Sequence, residues 1–123
     1  MINLPPHLQA SEKEAIMALS ALLSQNLGDN LVDLYLFGSK ARGDFLTDSD
    51  IDLLVIVQDL DPDSRWLIRA QAANLSLQYE VLFNTHIYEK VRWDAIVQYR
   101  DTLWREVQRD GISLHEAITQ PTS

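Results

Sequence analysis

The segment FGSKARGDFLTDSDIDLLVIV, residues 37–57, decides the fold that this sequence predicts. A Gly38-Ser39 pair follows one apolar run, and Asp50-Ile51-Asp52 opens a second apolar run that ends at Val57. Runs of this length and composition predict two strands of one sheet. Because strand interiors are normally depleted of Asp, the two acids at the start of the second strand require an explanation.

Asp50 and Asp52 are predicted to lie on one face of that strand, because alternate residues of a strand point the same way. The rise of a strand separates them by about 6–7 Å, where two unit charges repel by about 2.5 kcal/mol at an effective dielectric of about 20. A divalent cation offsets this repulsion, and Mg²⁺ is commonly held by one or two carboxylates together with water and phosphate oxygens. The pair therefore predicts a magnesium site. The alternative is a merely polar start to the strand, since Asp is common in turns and caps.

The Gly38-Ser39 pair predicts a phosphate-binding turn. Glycine lets the backbone turn tightly and approach a ligand, and a short helix beginning at Ser39 would direct its N–H groups at an anion. Lys40 or Arg42 could neutralise phosphate oxygens, and Arg42 is the stronger candidate because a guanidinium binds phosphate bidentately. Alternatively, both cations are surface charges of the helix. Together with Asp50-x-Asp52, the turn predicts a site for phosphoryl or nucleotidyl transfer.

The third candidate in this site is Glu80. It lies in the segment 77–83, whose alternating apolar residues predict a strand. If that strand lies beside the one that begins at Ile51, the Glu80 carboxylate joins Asp50 and Asp52. It could then hold a second metal ion or accept a proton from an attacking hydroxyl. The alternative is a solvated position on an exposed sheet face.

The remaining sequence predicts a compact α/β (or α+β) domain. The predicted elements are a helix capped by Ser11 with Glu14 and ending at Gly28, strand 31–37, a short helix from Ser39, strand 51–57, a helix from Asp61-Pro62 to about Leu75, strand 77–83, a helix over 91–109 ending at Gly111, and a strand or packed tail at 112–114. The last helix is predicted to bury one stripe, consisting of Trp93, Ile96, Tyr99, Leu103 and Val107.

Length and composition limit the classes of function. The 123 residues predict one domain over 1–118, with a disordered tail at 119–123. The chain has no cysteine, which excludes disulfides and thiolate metal sites. A net charge of −8 without a basic patch argues against a nucleic-acid substrate. No apolar stretch approaches the roughly 20 residues of a membrane span and no secretory signal is recognisable, so a cytoplasmic protein without a membrane association is expected.

Gly38-Ser39, ten further residues and then Asp50-x-Asp52 resemble the signature of the DNA polymerase beta nucleotidyltransferase superfamily. The longer string GSKARGDFLTDSDID is similar to that of its minimal members, the MNT or MntA-type antitoxins. The resemblance implies a small mixed β-sheet flanked by helices, ATP as substrate, one or two Mg²⁺ ions and release of pyrophosphate. It also implies that Gly38 and Ser39 hold the triphosphate, that Asp50 and Asp52 bind metal, and that Glu80 takes the third acidic position.

MntA-type antitoxins adenylylate (AMPylate) a tyrosine of a HEPN-type ribonuclease toxin, so the resemblance implies a protein adenylyltransferase in a hetero-oligomer with such a toxin. The small size favours a macromolecular acceptor, because a domain of this length with a nucleotide site has little surface left for a second deep pocket. Two other functions remain open. One is a non-catalytic antitoxin that masks its partner through an exposed aromatic helix between Trp93 and Trp104. The other is a homodimeric nucleotidyltransferase acting on small molecules of the antibiotic type.

Overall fold

The structure of the protein, a computed structural model, describes residues 4–43 and 50–115; the predicted tail at 119–123 lies outside the described residues. A four-stranded sheet is flanked by helices on both faces, which confirms the predicted fold class. The elements are α1 (Ala10–Leu27), β1 (Leu31–Phe37), α2 (Ser39–Arg42), β2 (Ile51–Val57), α3 (Pro62–Tyr79), β3 (Phe83–Glu89), α4 (Lys90–Gln98), α5 (Thr102–Asp110) and β4 (Ile112–Ser113). None of the described helices has the length and apolar character that crossing a membrane requires.

The sheet has the strand order β3-β2-β1-β4, with β1 antiparallel to both β2 and β4, and β3 parallel to β2. The register places Phe37 opposite Asp52 and Asp52 beside Asn84. The end of β1 and the beginnings of β2 and β3 therefore meet at the same end of the sheet. This end carries the candidate site.

The two faces of β2 pack into separate cores, which explains why this strand is apolar throughout. Ile51, Leu53, Val55 and Val57 belong to the larger core, beneath α1 and α3. Leu54 and Ile56 belong to the smaller core, which contains Trp93 of α4 and Val107 of α5. Asp52 alternates in the same phase as Leu54, so it lies on the α4–α5 face of the sheet.

The first helix begins two residues earlier than predicted, with Gln9 instead of Ser11 as its N-cap residue. Its first residue is Ala10, and the backbone N–H of Gln9 donates to Glu12 Oε1 at 2.9 Å. The capping interaction predicted between Ser11 and Glu14 is therefore wrong. The i, i+3 capping pattern occurs twice in this stretch, and burial decides between the two positions because Glu12 is buried and Glu14 is exposed.

The predicted strand at 77–83 is also wrong. Helix α3 continues to Tyr79, and Glu80 is its C-cap residue with a left-handed φ of 55°. Ile68, Ala72 and Leu75 form the buried side of α3 at helical spacing. A short apolar alternation can be read with either period, and the length of the preceding helix decides this case. The third strand begins only at Phe83.

The predicted helix over 91–109 consists of two helices, α4 and α5. Arg100 breaks it with a φ of 51°, and Asp101 then caps α5 by accepting a hydrogen bond from the backbone N–H of Leu103 at 3.2 Å. Trp93 and Val107 are buried as predicted, whereas Tyr99 is 79% exposed and leaves the predicted stripe. The aromatic surface expected between Trp93 and Trp104 therefore lacks Trp93.

Candidate active site

The Asp52 carboxylate is fixed by two side chains of the neighbouring strand. Asn84 Nδ2 donates to Asp52 Oδ1 at 3.0 Å, and His86 Nε2 lies 3.3 Å from the same oxygen. The His86 ring packs edge-on against Phe37, with ring centroids 5.0 Å apart. These contacts hold Oδ1 on the β3 side. Asp50 is exposed and immediately precedes β2.

Asn84 and His86 were not identified in the sequence as site residues. They are alternate residues of β3, and both point to the face that carries Asp52. The apolar alternation over residues 77–83 predicts the third strand too early and places Glu80, instead of Asn84, next to Asp52. The signal that was overlooked is the sequence Asn84-x-His86 within a β-branched and aromatic run.

The Gly38 turn lies directly against Asp52. Gly38 has φ 78° and ψ −160°, a conformation that residues other than glycine essentially do not adopt. A Cβ atom at this position would lie 2.4 Å from Asp52 Oδ2. Helix α2 then begins at Ser39, and the backbone N–H groups of Ala41 and Arg42 donate to the Gly38 carbonyl at 3.1 Å. The structure therefore brings Gly38, Ser39 and Asp52 together.

Arg42, predicted to bind nucleotide, is held by an acid at the end of α5. Its Nη1 lies 3.2 Å from Asp110 Oδ2, and the same oxygen accepts a hydrogen bond from Arg109 Nε at 3.0 Å. The side chain of Arg42 is 32% exposed and that of Asp110 only 9%. Arg42 thus ties the α2 turn to α5, and a contact with phosphate would have to compete with Asp110.

The Asp110 carboxyl provides a pH-dependent contribution to stability. Hydrogen bonds from Arg109 and, more weakly, Arg42 hold the pKa of Asp110 below its ordinary value, although burial opposes the shift. A pKa depressed in the folded state stabilises the protein above the unfolded-state pKa of about 3.9, and this contribution is lost as the pH falls through the lower, folded-state value. We expect Asp110→Asn to lower the melting temperature near pH 7, and the difference from wild type to shrink progressively below about pH 4. Thermal melts between pH 7 and pH 3 measure this; a constant difference would contradict it.

Glu80 does not join the two aspartates. It is an exposed residue at the C-terminus of α3, two residues before Leu82, whose carbonyl accepts a hydrogen bond from the backbone N–H of Ile51 at 2.7 Å. Asp50, Asp52 and Glu80 all lie within the described residues. Among these residues, no three His, Cys, Asp or Glu side chains are close enough together to hold a metal ion. The two aspartates nevertheless suit Mg²⁺, which needs only one or two carboxylates when phosphate and water complete its shell.

Matches with known proteins agree with this geometry. Residues 16–106 match a family described as "Nucleotidyltransferase domain". The chain is 35% identical over 79 residues to "Putative protein adenylyltransferase MJ0141" of Methanocaldococcus jannaschii, which corresponds to 63% of this chain and 79% of that protein. It is 33% identical over 105 residues to "Putative protein adenylyltransferase MJ0604" of the same archaeon, which corresponds to 85% of this chain and 99% of that protein.

Among solved structures, the fold is similar to a crystal structure of a toxin-antitoxin with AMP-PNP. The TM-score is 0.50 and the sequence identity 24%, over 83% of this chain and 71% of that chain. At this identity the similarity concerns the fold. It agrees with a mixed sheet that is flanked by helices.

Proposed function

The chain belongs to the nucleotidyltransferase domain family, since the family match spans residues 16–106, and from that membership we propose that it transfers AMP from Mg²⁺-bound ATP to a hydroxyl of a partner protein. The two archaeal relatives, named as putative protein adenylyltransferases, support a protein acceptor. A tyrosine is the proposed acceptor residue, because the sequence resembles the MntA-type antitoxins. This makes the protein an adenylylating antitoxin of a HEPN-type toxin.

A single juxtaposition carries this function: the Gly38 turn lies against the Asp52 carboxylate. A phosphate held by the turn is then next to the acid that would share a cation with it. Phosphoryl and nucleotidyl transfer need little covalent chemistry from the protein, so that positioning and charge neutralisation supply most of the catalysis. Ser39 contributes a hydroxyl and the first N–H of α2 to this turn.

Asp50 and Asp52 are the residues that would hold Mg²⁺, which when bound supplies positive charge to the phosphate oxygens. Asn84 and His86 orient Asp52 by holding its Oδ1, which leaves Oδ2 on the side of the Gly38 turn. Hydrogen bonds to one oxygen of a carboxylate fix the direction in which it presents the other oxygen. We assign Glu80 no ligand role in this arrangement, because it lies at the end of α3 and outside the sheet.

The surface beside the carboxylates supports a macromolecular acceptor. Leu82 is 60% exposed, and its carbonyl accepts a hydrogen bond from the backbone N–H of Ile51 at the candidate site. Exposed apolar side chains beside a reaction centre are suited to contact with another protein. The toxin-antitoxin whose fold is similar motivates the choice of a toxin as that partner.

Incubation of the purified protein with α-labelled ATP, Mg²⁺ and its partner tests this function. We expect label on the partner only when Mg²⁺ is present, and a mass increase of the partner by AMP. Separately, Mg²⁺-ATP at about 100 times its Kd should stabilise the fold by about 2.7 kcal/mol. Absence of both effects would contradict the proposal, while a stoichiometric complex with the partner but no nucleotide-induced stabilisation would indicate a non-catalytic binding antitoxin. Label on an aminoglycoside-like acceptor without any partner would indicate the small-molecule enzyme.

A further inference from the structure

The lysine that follows Ser39 in the phosphate turn is buried. Lys40 is 1% exposed, and its Nζ lies 2.5 Å from Glu12 Oε2 in a carboxylate that is itself 7% exposed. Burying a charged pair is costly unless both charges are well paired, so a surface helix of four residues would not ordinarily include one. Lys40 therefore cannot have the role of an exposed phosphate ligand in this arrangement.

The residues that hold Lys40 come from the beginning of the chain. The second carboxylate oxygen of Glu12 accepts a hydrogen bond from the Gln9 backbone, so that the acid is fixed from both sides. His7 donates from Nε2 to the Lys40 carbonyl at 2.6 Å. Its ring also lies under Gly43, where an added Cβ would be 3.1 Å from the ring. The segment from His7 to Glu12 thus contacts α2 at three places: the Lys40 side chain, the Lys40 carbonyl and Gly43 at the end of the helix.

We propose that Glu12 and Lys40 are positioning residues for the triphosphate: their ion pair sets the location of the Ser39 turn relative to Asp52, and Lys40 does not contact phosphate itself. This inference rests on the proposed function, since it concerns nucleotide binding at the same site. Helix α2 is too short to hold its own position, because one turn of helix has little cooperative stability. A displacement of about 1 Å in a positioned group can lower the rate of a catalysed reaction by about 100-fold.

The positioning role and a direct phosphate contact make different predictions for Glu12. If Lys40 binds phosphate, Lys40→Met weakens nucleotide binding, whereas Glu12→Gln releases the lysine and leaves binding unchanged or stronger. If the pair positions the turn, either substitution weakens binding by a similar factor. The double variant should then have a Kd no higher than that of the single variant that binds more weakly, because both substitutions remove the same interaction. Gln at position 12 retains an oxygen for the Gln9 N–H, so the helix cap is kept.

The experiment is a double-mutant cycle on the Kd of AMP-PNP with Mg²⁺, measured by isothermal titration calorimetry. We expect Kd to rise by about 10- to 100-fold in Lys40→Met, in Glu12→Gln and in the double variant. The matched control is Lys90→Met with Asp94→Asn, which removes an exposed ion pair within α4 and should leave Kd unchanged. Circular dichroism melts monitor folding in every variant.

Each single variant breaks the buried ion pair but keeps one of its two charges, so it can fail to fold. The double variant removes both charges, and its Kd then decides the question. A folded double variant with the wild-type Kd would overturn the positioning role, as would a Kd that rises in Lys40→Met but not in Glu12→Gln. A wild-type protein that does not bind AMP-PNP would contradict the proposed function itself. The two failures are therefore distinguishable.

Discussion

Replacing Asp50 and Asp52 together by Asn should lower nucleotidyl transfer by on the order of 10³-fold or more without unfolding the protein. The substitution removes both negative charges that would hold a cation. It leaves side-chain volume nearly unchanged, and Asn at position 52 can still accept hydrogen bonds from Asn84 and His86 through its amide oxygen. Since the repulsion between the two carboxylates is also removed, the melting temperature should be equal to or higher than that of the wild type.

The measurement is transfer of label from ATP to the partner, with a thermal melt of each variant. Two single substitutions serve as matched controls: Glu80→Gln and Asp29→Asn each remove one exposed carboxylate, and both should retain activity within about twofold of the wild type. Wild-type transfer by the doubly substituted protein would refute the mechanism. A loss in Glu80→Gln comparable to that of the aspartates would restore the third acidic position that the sequence predicted.

Two of the three strands that carry the site, β1 and β2, could be predicted to the residue. β1 and β2 are short, mostly apolar runs, β1 ending before Gly38 and β2 beginning after Asp50, and their apolar composition predicts strands in a buried sheet. The short helix at Ser39 followed from the glycine before it. The prediction that Asp50 and Asp52 share a face needs only the alternation of a strand. The structure places Asp52 in phase with Leu54, and Asp50 immediately precedes β2.

The error at the third strand had a physical cause. Leu77, Tyr79, Val81 and Phe83 alternate as in a strand, but Tyr79 also continues the helical spacing of Ala72 and Leu75 and packs against the same core. Local pattern cannot choose between these periods when the run is short, and the packing of α3 against α1 decides for the helix. The displaced boundary moved the predicted partner of Asp52 from Asn84 to Glu80.

Contacts between segments that are distant in sequence could not be predicted from local sequence patterns. Lys40 and Glu12 are each unremarkable in sequence, and a lysine after Gly-Ser suggests a phosphate ligand. Their pairing depends on how α1 packs on the sheet beneath α2, which no periodicity encodes. The bond between Arg42 and Asp110 is similar, because it joins the first half of the chain to its last helix. In both cases a cation that the sequence suggests as a phosphate ligand is paired with an acid from another element of the fold.

Substituting Gly38 by Ala should both destabilise the protein and disable the site. The required backbone conformation costs a residue with a Cβ about 1–3 kcal/mol, and the close contact with Asp52 Oδ2 adds a packing cost of similar size. We therefore expect the free energy of unfolding to fall by about 2–5 kcal/mol. Relief of the contact requires Asp52 or the turn to move by about 1 Å, which should lower transfer by about 100-fold in the molecules that remain folded.

Gly28→Ala separates the two effects. Gly28 also has a positive φ, of 53°, but an added Cβ there would meet no atom within 4 Å. This variant should lose about 1–3 kcal/mol of stability through backbone strain and retain the wild-type rate of transfer. Urea unfolding measures the stability of both glycine variants. The labelled-ATP assay, carried out under conditions where both variants are folded, measures their rates of transfer. If Gly38→Ala transferred AMP as fast as Gly28→Ala at equal folded concentration, the turn would tolerate a side chain where ATP is proposed to lie, and its contact with Asp52 would have no part in catalysis.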